Sequence, residues 1–499
     1  GRPAIGEDTA SNLWFLLFVC NLLMTIGLSA DLFSEGQGWS GLRKGTLRLG
    51  AVAVAAAVYA GLDPVYLETD AVRVGILIVA GHLLIAFAPF GFRPVMGDDQ
   101  DFWHFNSRLF LRFLSATLYT LTLYVGLMVA LFGLEKLFGL NIRPSVYSQL
   151  LAVLGLGFHP LFFLAGVPDV SVQETGMMPY PKGLKVFTQY VLIPLMIIYL
   201  GILLTYEVHI VLVQELPQGI VAMLILAYAV FGMLALLLVW PIKAEPGVRW
   251  VSLFARSFFV TLVPLLLLLS LAIYRRISSY GFTEERYILV VLGLWLVGIT
   301  GYFLVSRQPT IRVIPVSLFI LTVLSAFGPQ GASAVSRESQ QARLARLRSA
   351  TQPDAAQLAS VVTYLVDAHG LQAVQGFSDT DFARLERSIR NTAGKSPYER
   401  RQQRRDTVFA LLNIAHDAAP NRHYLEIRRE NLPVLPVSGV DYVCRIEPYQ
   451  DTTANVELDG RRYRIRVDRS LRRVEVMGAD TLVLSLDPLL REISTAYRK

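Results

Sequence analysis

The first two thirds of this 499-residue chain consist largely of apolar runs, each about the length that a bilayer-spanning helix requires. Candidate spans lie near residues 12–30, 47–62, 71–90, 113–134, 147–167, 186–206, 217–241, 251–274, 287–305 and 311–328. Continuous runs do not fit the alternating pattern of a membrane barrel. The first run is not followed by a small-residue cleavage site and is expected to be a span. The sequence therefore predicts about ten transmembrane helices.

Charged residues divide the chain into two parts. Residues 1–335 contain 38 Asp, Glu, Lys and Arg residues, whereas residues 336–499 contain 47 in about half the length. Charge is scarce where lipid is the solvent, and the second part has the composition of a soluble domain. We therefore predict a membrane domain followed by a soluble tail.

The pattern changes once more within the tail. Residues 337–418 carry apolar side chains at three- and four-residue spacing, which predicts helices. From residue 422 onward, short alternating segments predict strands, and Asp459-Gly460 is typical of a hairpin turn. A last helix is expected near 488–496.

These patterns define the expected fold class. It is an α-helical integral membrane protein with a small α+β soluble C-terminal domain. The expected divisions are a transmembrane domain over 1–335, a helical juxtamembrane region over 336–420 and a β-rich domain over 421–499.

Neither a cofactor, nor a metal, nor a nucleic acid is expected as a ligand. The net charge is +7, but basic residues are interleaved with acids and form no nucleic-acid module. The chain has no Walker loop, no Gly-x-Ser-x-Gly elbow and no His-Glu-x-x-His, and its 7 histidines lack metal-ligand spacing. The expected partners are membrane lipids, with a protein partner of the tail as a second possibility. The basic residues that flank the spans are nearly equal on the two sides and leave the orientation open.

Polar residues near or inside spans are the candidates for a ligand site. Arg108 and Arg112 are four residues apart on a predicted interfacial helix and share one face. His159 precedes a proline within a span, where it would bind a ligand or carry a proton. The alternative is a histidine that only hydrogen-bonds a neighbouring helix.

A second group of candidates lies between two spans, at Thr283-Glu-Glu-Arg286. Thr283 suits a helix N-cap, and Glu284 suits the positive end of the helix dipole. Arg286 at the mouth of a span would suit an anionic headgroup. The segment at 328–344 follows the last span, and its Ser336, Ser339 and Gln340 would cap a helix or bind a ligand. Any coupling between the membrane region and the tail has to pass through this segment.

Four ordered motifs resemble the bacterial domain-of-unknown-function family numbered 4153. They are Phe102-Trp-His-Phe-Asn106 with Arg108-Leu-Phe-Leu-Arg112, Phe162-Phe-Leu-Ala-Gly-Val-Pro168, Tyr280-Gly-Phe-Thr-Glu284 with Arg286-Tyr287, and Ser336-x-x-Ser-Gln340 with Arg343-Leu344. The resemblance implies a protein of the bacterial cytoplasmic membrane with many spans and no established activity. It carries over no catalytic residues, and His209 stands where the family is expected to have lysine.

Three functions are compatible with these features. The first is a non-enzymatic protein that binds or translocates an amphiphilic or lipid-like molecule through Arg108, Arg112, His159, Glu284 and Arg286. The second is a sensor or scaffold whose tail binds a protein partner. The third is a membrane enzyme acting on lipid or glycan, with a base drawn from His159, Glu207 or Glu284. It ranks last, and no catalytic residue is assigned, because no pair of groups has the spacing that such chemistry requires.

Overall fold

The computed structural model describes two compact units, Gly1–Pro420 and Asn421–Lys499. The described residues are 7–63, 67–91, 99–170, 180, 182–213, 220–244, 249–351, 354–390, 397–414, 435–437, 440–443, 452–458, 461–468, 473–477 and 481–485.

The described part of the first unit begins with twelve α-helices, which we call the membrane region. They are α1 (Glu7–Gly36), α2 (Leu42–Gly61), α3 (Glu68–Phe87), α4 (Asp99–Phe138), α5 (Pro144–Val153), α6 (His159–Leu164), α7 (Lys182–Phe187), α8 (Ile193–Val213), α9 (Ile220–Val239), α10 (Arg249–Tyr280), α11 (Glu284–Val305) and α12 (Val313–Ala326). Short 3₁₀ helices follow α3 and α9, at Ala88–Phe90 and Trp240–Ala244.

Two of these helix pairs are joined by π-helical turns that accommodate prolines. The turn Leu154–Phe158 joins α5 to α6 just before Pro160, and Thr188–Leu192 joins α7 to α8 just before Pro194. A proline ring clashes with the carbonyl four residues earlier in an α-helix. In both cases that carbonyl belongs to the wider π turn, so the span continues past the proline.

Among the described residues, eight helices are long and apolar enough to cross a membrane, so the protein is a multi-pass membrane protein. The expected number of about ten is therefore wrong. The helix α12 falls short because it has 14 residues. The helix α2 is not among the eight since Arg43, Lys44 and Arg48 occupy its first turns and small alanines follow.

The largest apolar core of the membrane region is formed by α8 to α11. Its centre includes Ile225 and Leu236 of α9 and Leu262 and Leu265 of α10, which are all fully buried. Trp103 of α4 packs against this core and donates its indole N–H to the carbonyl oxygen of Leu237 at 2.7 Å. A buried indole with a paired N–H ties the start of α4 to the end of α9.

Four tail helices complete the described part of the first unit. They are α13 (Ala332–Arg348), α14 (Ala355–His369), α15 (Phe382–Arg390) and α16 (Pro397–Leu411). Their apolar faces enclose a second core that includes Leu344, Val362, Leu365, Phe382 and Val408. This core is what the three- and four-residue spacing of the tail sequence predicts.

The tail helices also contact the membrane region. Arg390 pairs with Asp63 beyond the end of α2, and Arg401 pairs with Glu68 at the start of α3 at 2.8 Å. The contacts place α13 to α16 in the same compact unit as the spans.

The described elements of the second unit are strands. They are β1 (Leu435–Val437), β2 (Val440–Val443), β3 (Thr452–Leu458), β4 (Arg461–Asp468), β5 (Arg473–Met477) and β6 (Thr481–Ser485). β1 pairs with β2, and the other four form an antiparallel sheet in the order β3-β4-β5-β6. The helix expected near 488–496 lies outside the described residues.

The expected small α+β soluble C-terminal domain is therefore wrong as a fold class. The described tail helices belong to the unit that contains the spans, and the elements described beyond residue 420 are strands. The described residues of the first unit form a helical membrane domain whose helical tail is packed onto its spans. Helical periodicity predicted the tail helices, but periodicity cannot tell which partner a helix packs against.

Two glycines of α1 test how closely its end is packed. A Cβ at Gly36 would lie 1.8 Å from the carbonyl oxygen of Pro89, whereas one at Gly27 would meet nothing within 4 Å. We expect Gly36→Ala to destabilise the protein by about 1–3 kcal/mol, because backbone must move. Gly27→Ala is expected to be neutral or stabilising by up to about 1 kcal/mol. Thermal unfolding midpoints in one detergent would check this, and equal shifts for the two variants would contradict it.

Candidate functional site

A buried carboxyl group lies where the membrane region meets the tail. Glu284 is the first residue of α11 and is only 5% exposed. Its Oε1 accepts from the Ser336 hydroxyl at 2.9 Å and lies 3.2 Å from His369 Nε2, and its Oε2 accepts from the Tyr364 hydroxyl. We call these four residues the Glu284 cluster. Since Ser336 is on α13 and both Tyr364 and His369 are on α14, the cluster joins three helices.

The Glu284 cluster contains the residue types of a nucleophilic triad but not its geometry. In a triad the imidazole contacts the nucleophile with one nitrogen and the acid with the other. Here Ser336 Oγ and Glu284 Oε1 both lie near the same nitrogen of His369, Nε2. Ser336 is also fully buried. The arrangement suits a structural junction rather than a nucleophile that must reach a substrate.

Burial sets the ionisation of two members of the cluster. It raises the pKa of Tyr364 above its ordinary value, and the facing carboxylate of Glu284 adds to the effect. The hydroxyl of Tyr364 therefore keeps its proton and acts as a donor. Burial also lowers the pKa of His369 to about 4, although attraction to Glu284 opposes the shift. His369 is thus neutral at pH 7.

The turn between α10 and α11 is held by the next turn of α13. The backbone N–H of Phe282 donates to Ser339 Oγ at 2.9 Å. Gln340 is 2% exposed, and its side-chain amide donates to the carbonyl oxygens of Tyr280 and Phe282 at 2.9 and 2.7 Å. Gly281 has a φ of +70°, and a Cβ there would lie 3.0 Å from Gln340 Nε2. The positive φ therefore favours glycine, and a larger residue would also crowd Gln340 of the neighbouring helix.

The expected N-cap at Thr283 is only partly formed. Thr283 occupies the N-cap position of α11 with extended backbone, but its hydroxyl makes no capping hydrogen bond. Glu284 is not simply a charge at a helix terminus either, because its carboxyl group faces α13 and α14. The hydrogen-bond partners of Glu284 are therefore on other helices, which the local sequence pattern of α11 does not show.

Arg112 binds the end of a neighbouring helix. Its guanidinium donates to the carbonyl oxygens of Phe162 and Phe163, near the C-terminus of α6, and its Cζ lies 3.9 Å from the centre of the Phe162 ring. A Cβ at Gly166 would collide with the guanidinium, so this glycine leaves room for it. A cation is favoured at a helix C-terminus, and these contacts explain Arg112 without a ligand.

His159 also has a partner within the protein. Its Nε2 lies 3.2 Å from Thr117 Oγ1 on α4, and its ring meets Phe113 edge-on with centroids 5.3 Å apart. This is the geometry of the alternative stated above, a histidine that hydrogen-bonds a neighbouring helix.

The structure thus places the five predicted site residues in two groups. Arg112 and His159 lie where α4 meets α6, and Arg108 is half-buried one turn before Arg112. Glu284 and Arg286 lie at the turn between α10 and α11, with their side chains bonded to different partners. No sequence pattern links Tyr364 and His369 to Glu284, since 80 or more residues separate them, and sequence reasoning missed both.

A large cavity opens between α1, α2, α3 and α12. Its volume is about 700 Å³. Ser29 is the one polar side chain among the described residues that line it, and its hydroxyl already donates to the Thr25 carbonyl at 2.7 Å. The apolar lining residues include Phe33, Leu47, Val54, Phe87 and Phe319, with Gly50 among them. None of the five predicted site residues lines this cavity.

These features define a polytopic helical membrane protein with a docked helical tail. The chain belongs to a family described as a domain of unknown function, DUF4153, whose model matches residues 8–367. An uncharacterized protein from Pasteurella multocida (strain Pm70) is 26% identical over 309 residues, which cover 60% of this chain and 49% of that relative. The chain therefore spans about half the length of this curated relative. No solved structure matches the chain.

The extent of the family match agrees with the packing. It does not stop at the last span but continues through α13 and nearly to the end of α14. Glu284, Ser336 and Tyr364 all lie inside the matched residues, and His369 lies two positions beyond them.

Glu284 and Glu285 form a matched pair that tests the cluster. Both are in the first turn of α11, but Glu285 is exposed. We expect Glu284→Ala to destabilise the protein by about 2–4 kcal/mol, because the buried Tyr364 hydroxyl loses its acceptor. Glu285→Ala should change stability by no more than about 0.5 kcal/mol. Thermal unfolding in detergent measures both, and similar losses would show that only the helix dipole is involved.

His369 makes the docking of α14 depend on pH. Once undocked, the imidazole regains an ordinary pKa near 6.5, so the undocked state binds more protons between pH 6.5 and about 4. Docking stability should therefore fall as the pH drops through this window, by roughly 2 kcal/mol at pH 5. Hydrogen exchange of α13 and α14 at pH 7 and pH 5, corrected for intrinsic rates, would measure it. His369→Gln should flatten the pH dependence of docking stability. If the pH dependence is the same in this variant, another titrating group causes it.

Proposed function

We propose that the membrane region binds a lipid-like amphiphile in the cavity between α1, α2, α3 and α12. The cavity is the observation that supports this proposal. Ligand pockets typically measure about 300–1,000 Å³ and are mostly apolar, and this cavity falls within that range at about 700 Å³. An apolar space of this size between helices forfeits packing contacts when it is empty, so an acyl chain would restore them.

Charged side chains on two of the cavity-lining helices would suit a polar headgroup. Lys44 and Arg48 stand on either side of the lining residue Leu47 on α2. Lys44 lies 3.1 Å from Glu35, and Arg48 lies 2.7 Å from Asp31, both on α1. Charges of both signs beside an apolar cavity fit a molecule with an apolar chain and a polar, hydrogen-bonding head.

The alternatives gain less support from the structure. The Glu284 cluster lacks the geometry and the access of a nucleophilic triad. The described tail helices contact one another and the membrane region, and none of these contacts specifically supports a scaffold that captures another protein. We further propose the bacterial cytoplasmic membrane as the location, because the spans are helices and the curated relative is bacterial.

Two valines of α2 provide a matched test. Val54 lines the cavity and is 47% exposed, whereas Val52 is outside the lining and is 50% exposed. A tryptophan at position 54 would fill the cavity, and one at position 52 would only add surface toward lipid. We expect Val54→Trp to lose at least about tenfold in amphiphile retention and Val52→Trp to retain it.

The measurement is native mass spectrometry of the protein extracted gently from its own membrane, with identification of whatever lipid stays bound. A single amphiphile that is retained by the parent chain and by Val52→Trp but not by Val54→Trp would support the cavity as its site. Equal retention by both variants would move the site elsewhere. A parent chain that carries no specific adduct would contradict the proposal.

A further inference from the structure

Three arginines surround the turn between α10 and α11. Arg276 lies one turn before the end of α10, Arg286 is in the first turn of α11 and Arg343 is on α13. Arg286 and Arg343 both donate to the carbonyl oxygen of Tyr280, at 3.1 and 2.9 Å. Their Cζ atoms lie 5.5 and 5.6 Å from the centre of the Tyr280 ring. Two cations are thus held against one aromatic ring, with a third within electrostatic reach of Arg286.

The acceptors that hold these arginines are neutral. Besides Tyr280, Arg286 donates to the carbonyl oxygen of Gly281 at 2.7 Å, and Arg343 donates to Gln357 Oε1 at 3.2 Å. Within the described residues, none of the three arginines forms an ion pair with a carboxylate. The carboxyl group of Glu284, close by in sequence, is bound by the Glu284 cluster instead.

This concentration of positive charge is only partly offset within the protein, since the exposed carboxylate of Glu285 also acts on Arg286. Burial lowers the pKa of Arg343, Tyr280 opposes this shift, and the neighbouring Arg346 adds to it. A guanidinium has five N–H donors, and Arg286 uses only Nη1 in the contacts above. Donors therefore remain for an oxyanion, which arginine binds with two parallel hydrogen bonds.

An apolar crevice lies directly beside this charge. Arg276 and Arg286 line a small cavity of about 30 Å³ together with side chains from the start of α9, the end of α10 and α11. The apolar members include Val221, Ile273 and Leu289. The crevice itself holds little more than one water-sized group. It nevertheless connects the two arginine side chains with the apolar surfaces of three membrane helices.

Aromatic residues mark the depth of this region in the membrane. Tyr274 and Tyr280 are 70% and 48% exposed, and tyrosine is enriched at the level of lipid headgroups. Earlier on α10, Leu267 and Leu271 are exposed, as expected for a surface that faces acyl chains. The arginines therefore lie at the boundary between lipid chains and water.

We propose that Arg276, Arg286 and Arg343 bind the phosphate group of an anionic phospholipid at the membrane surface. The phosphate bridges the guanidinium groups, and the acyl chains run along α10 and α11. Inorganic phosphate offers the same chemistry, but the interfacial tyrosines and the adjoining apolar surface favour a lipid. This site goes beyond the amphiphile cavity proposed above, because it is built from other helices and requires a negative charge.

Native mass spectrometry of the full chain, with defined phospholipids added in detergent, tests the proposal. The probes are dioleoyl phosphatidylglycerol, which is anionic, and dioleoyl phosphatidylcholine, which is not. Replacing Arg276, Arg286 and Arg343 with Gln should weaken phosphatidylglycerol binding by at least about tenfold and leave phosphatidylcholine binding unchanged. The control replaces Arg275, Arg384 and Arg387, which are exposed and lose the same charge. Equal losses of phosphatidylglycerol affinity in the two triple variants would show that the effect comes from net charge alone, and would overturn the proposed site.

A single substitution keeps the test valid even if the triple variant folds poorly. Arg276 makes no hydrogen bond to the described part of the chain, so Arg276→Gln should not disturb the turn. It should weaken phosphatidylglycerol binding by about threefold or more, whereas Arg275→Gln should change it by less. Equal affinities of these two variants would overturn the proposal.

Two further arms separate the possible sources of the anion. Millimolar inorganic phosphate should compete no better than the same ionic strength of chloride, and specific displacement by phosphate would transfer the site to a soluble anion and overturn the lipid assignment. Val54→Trp should leave phosphatidylglycerol binding intact. The two proposals can therefore fail independently, because this variant changes the cavity and leaves the arginine site unchanged.

Discussion

The junction between the spans and the tail depends on one buried carboxyl group. Removing a carboxylate from water costs several kcal/mol unless hydrogen bonds replace its hydration, and Glu284 obtains them from Ser336 on one helix and Tyr364 on another. Each donor must be at the correct height along its helix, so the carboxyl group fixes the register of α13 and α14 against α11. The bonds of Ser339 and Gln340 to the adjacent turn then follow from that register.

The class of the protein could be predicted from the sequence because length and hydropathy of a span are local properties. Membership of the family was likewise predicted from four short motifs, and the match over residues 8–367 confirms it. The number of spans was overestimated, since α2 and α12 are apolar but too basic at the start or too short to qualify. The separate α+β tail was wrong for a different reason, because a helix pattern shows which face is apolar but not what covers it.

The candidate sites show the same limit at the level of single residues. Glu284 and Arg286 were found because polar groups stand out between apolar spans. Tyr364, which donates to Glu284, and Arg343, which shares the Tyr280 carbonyl with Arg286, come from helices far along the chain. Ligand binding by Arg112 and His159 stays an untested prediction. The structure shows that both side chains have hydrogen-bond partners within the protein. The large cavity could not be anticipated, since the residues that line it are of the same types as those that fill the core.

The π turn before Pro160 has a consequence for how this span is compared with others. It adds about one residue to the helix, so everything after it is rotated by roughly 100° relative to an uninterrupted α-helix. His159 reaches Thr117 of α4 with that extra residue in place. A related chain that lacks both the proline and one residue of the turn would present a different face of α6 to α4. When this chain is aligned with a relative, residues before and after the turn correspond only if the extra residue of the turn is included in the alignment.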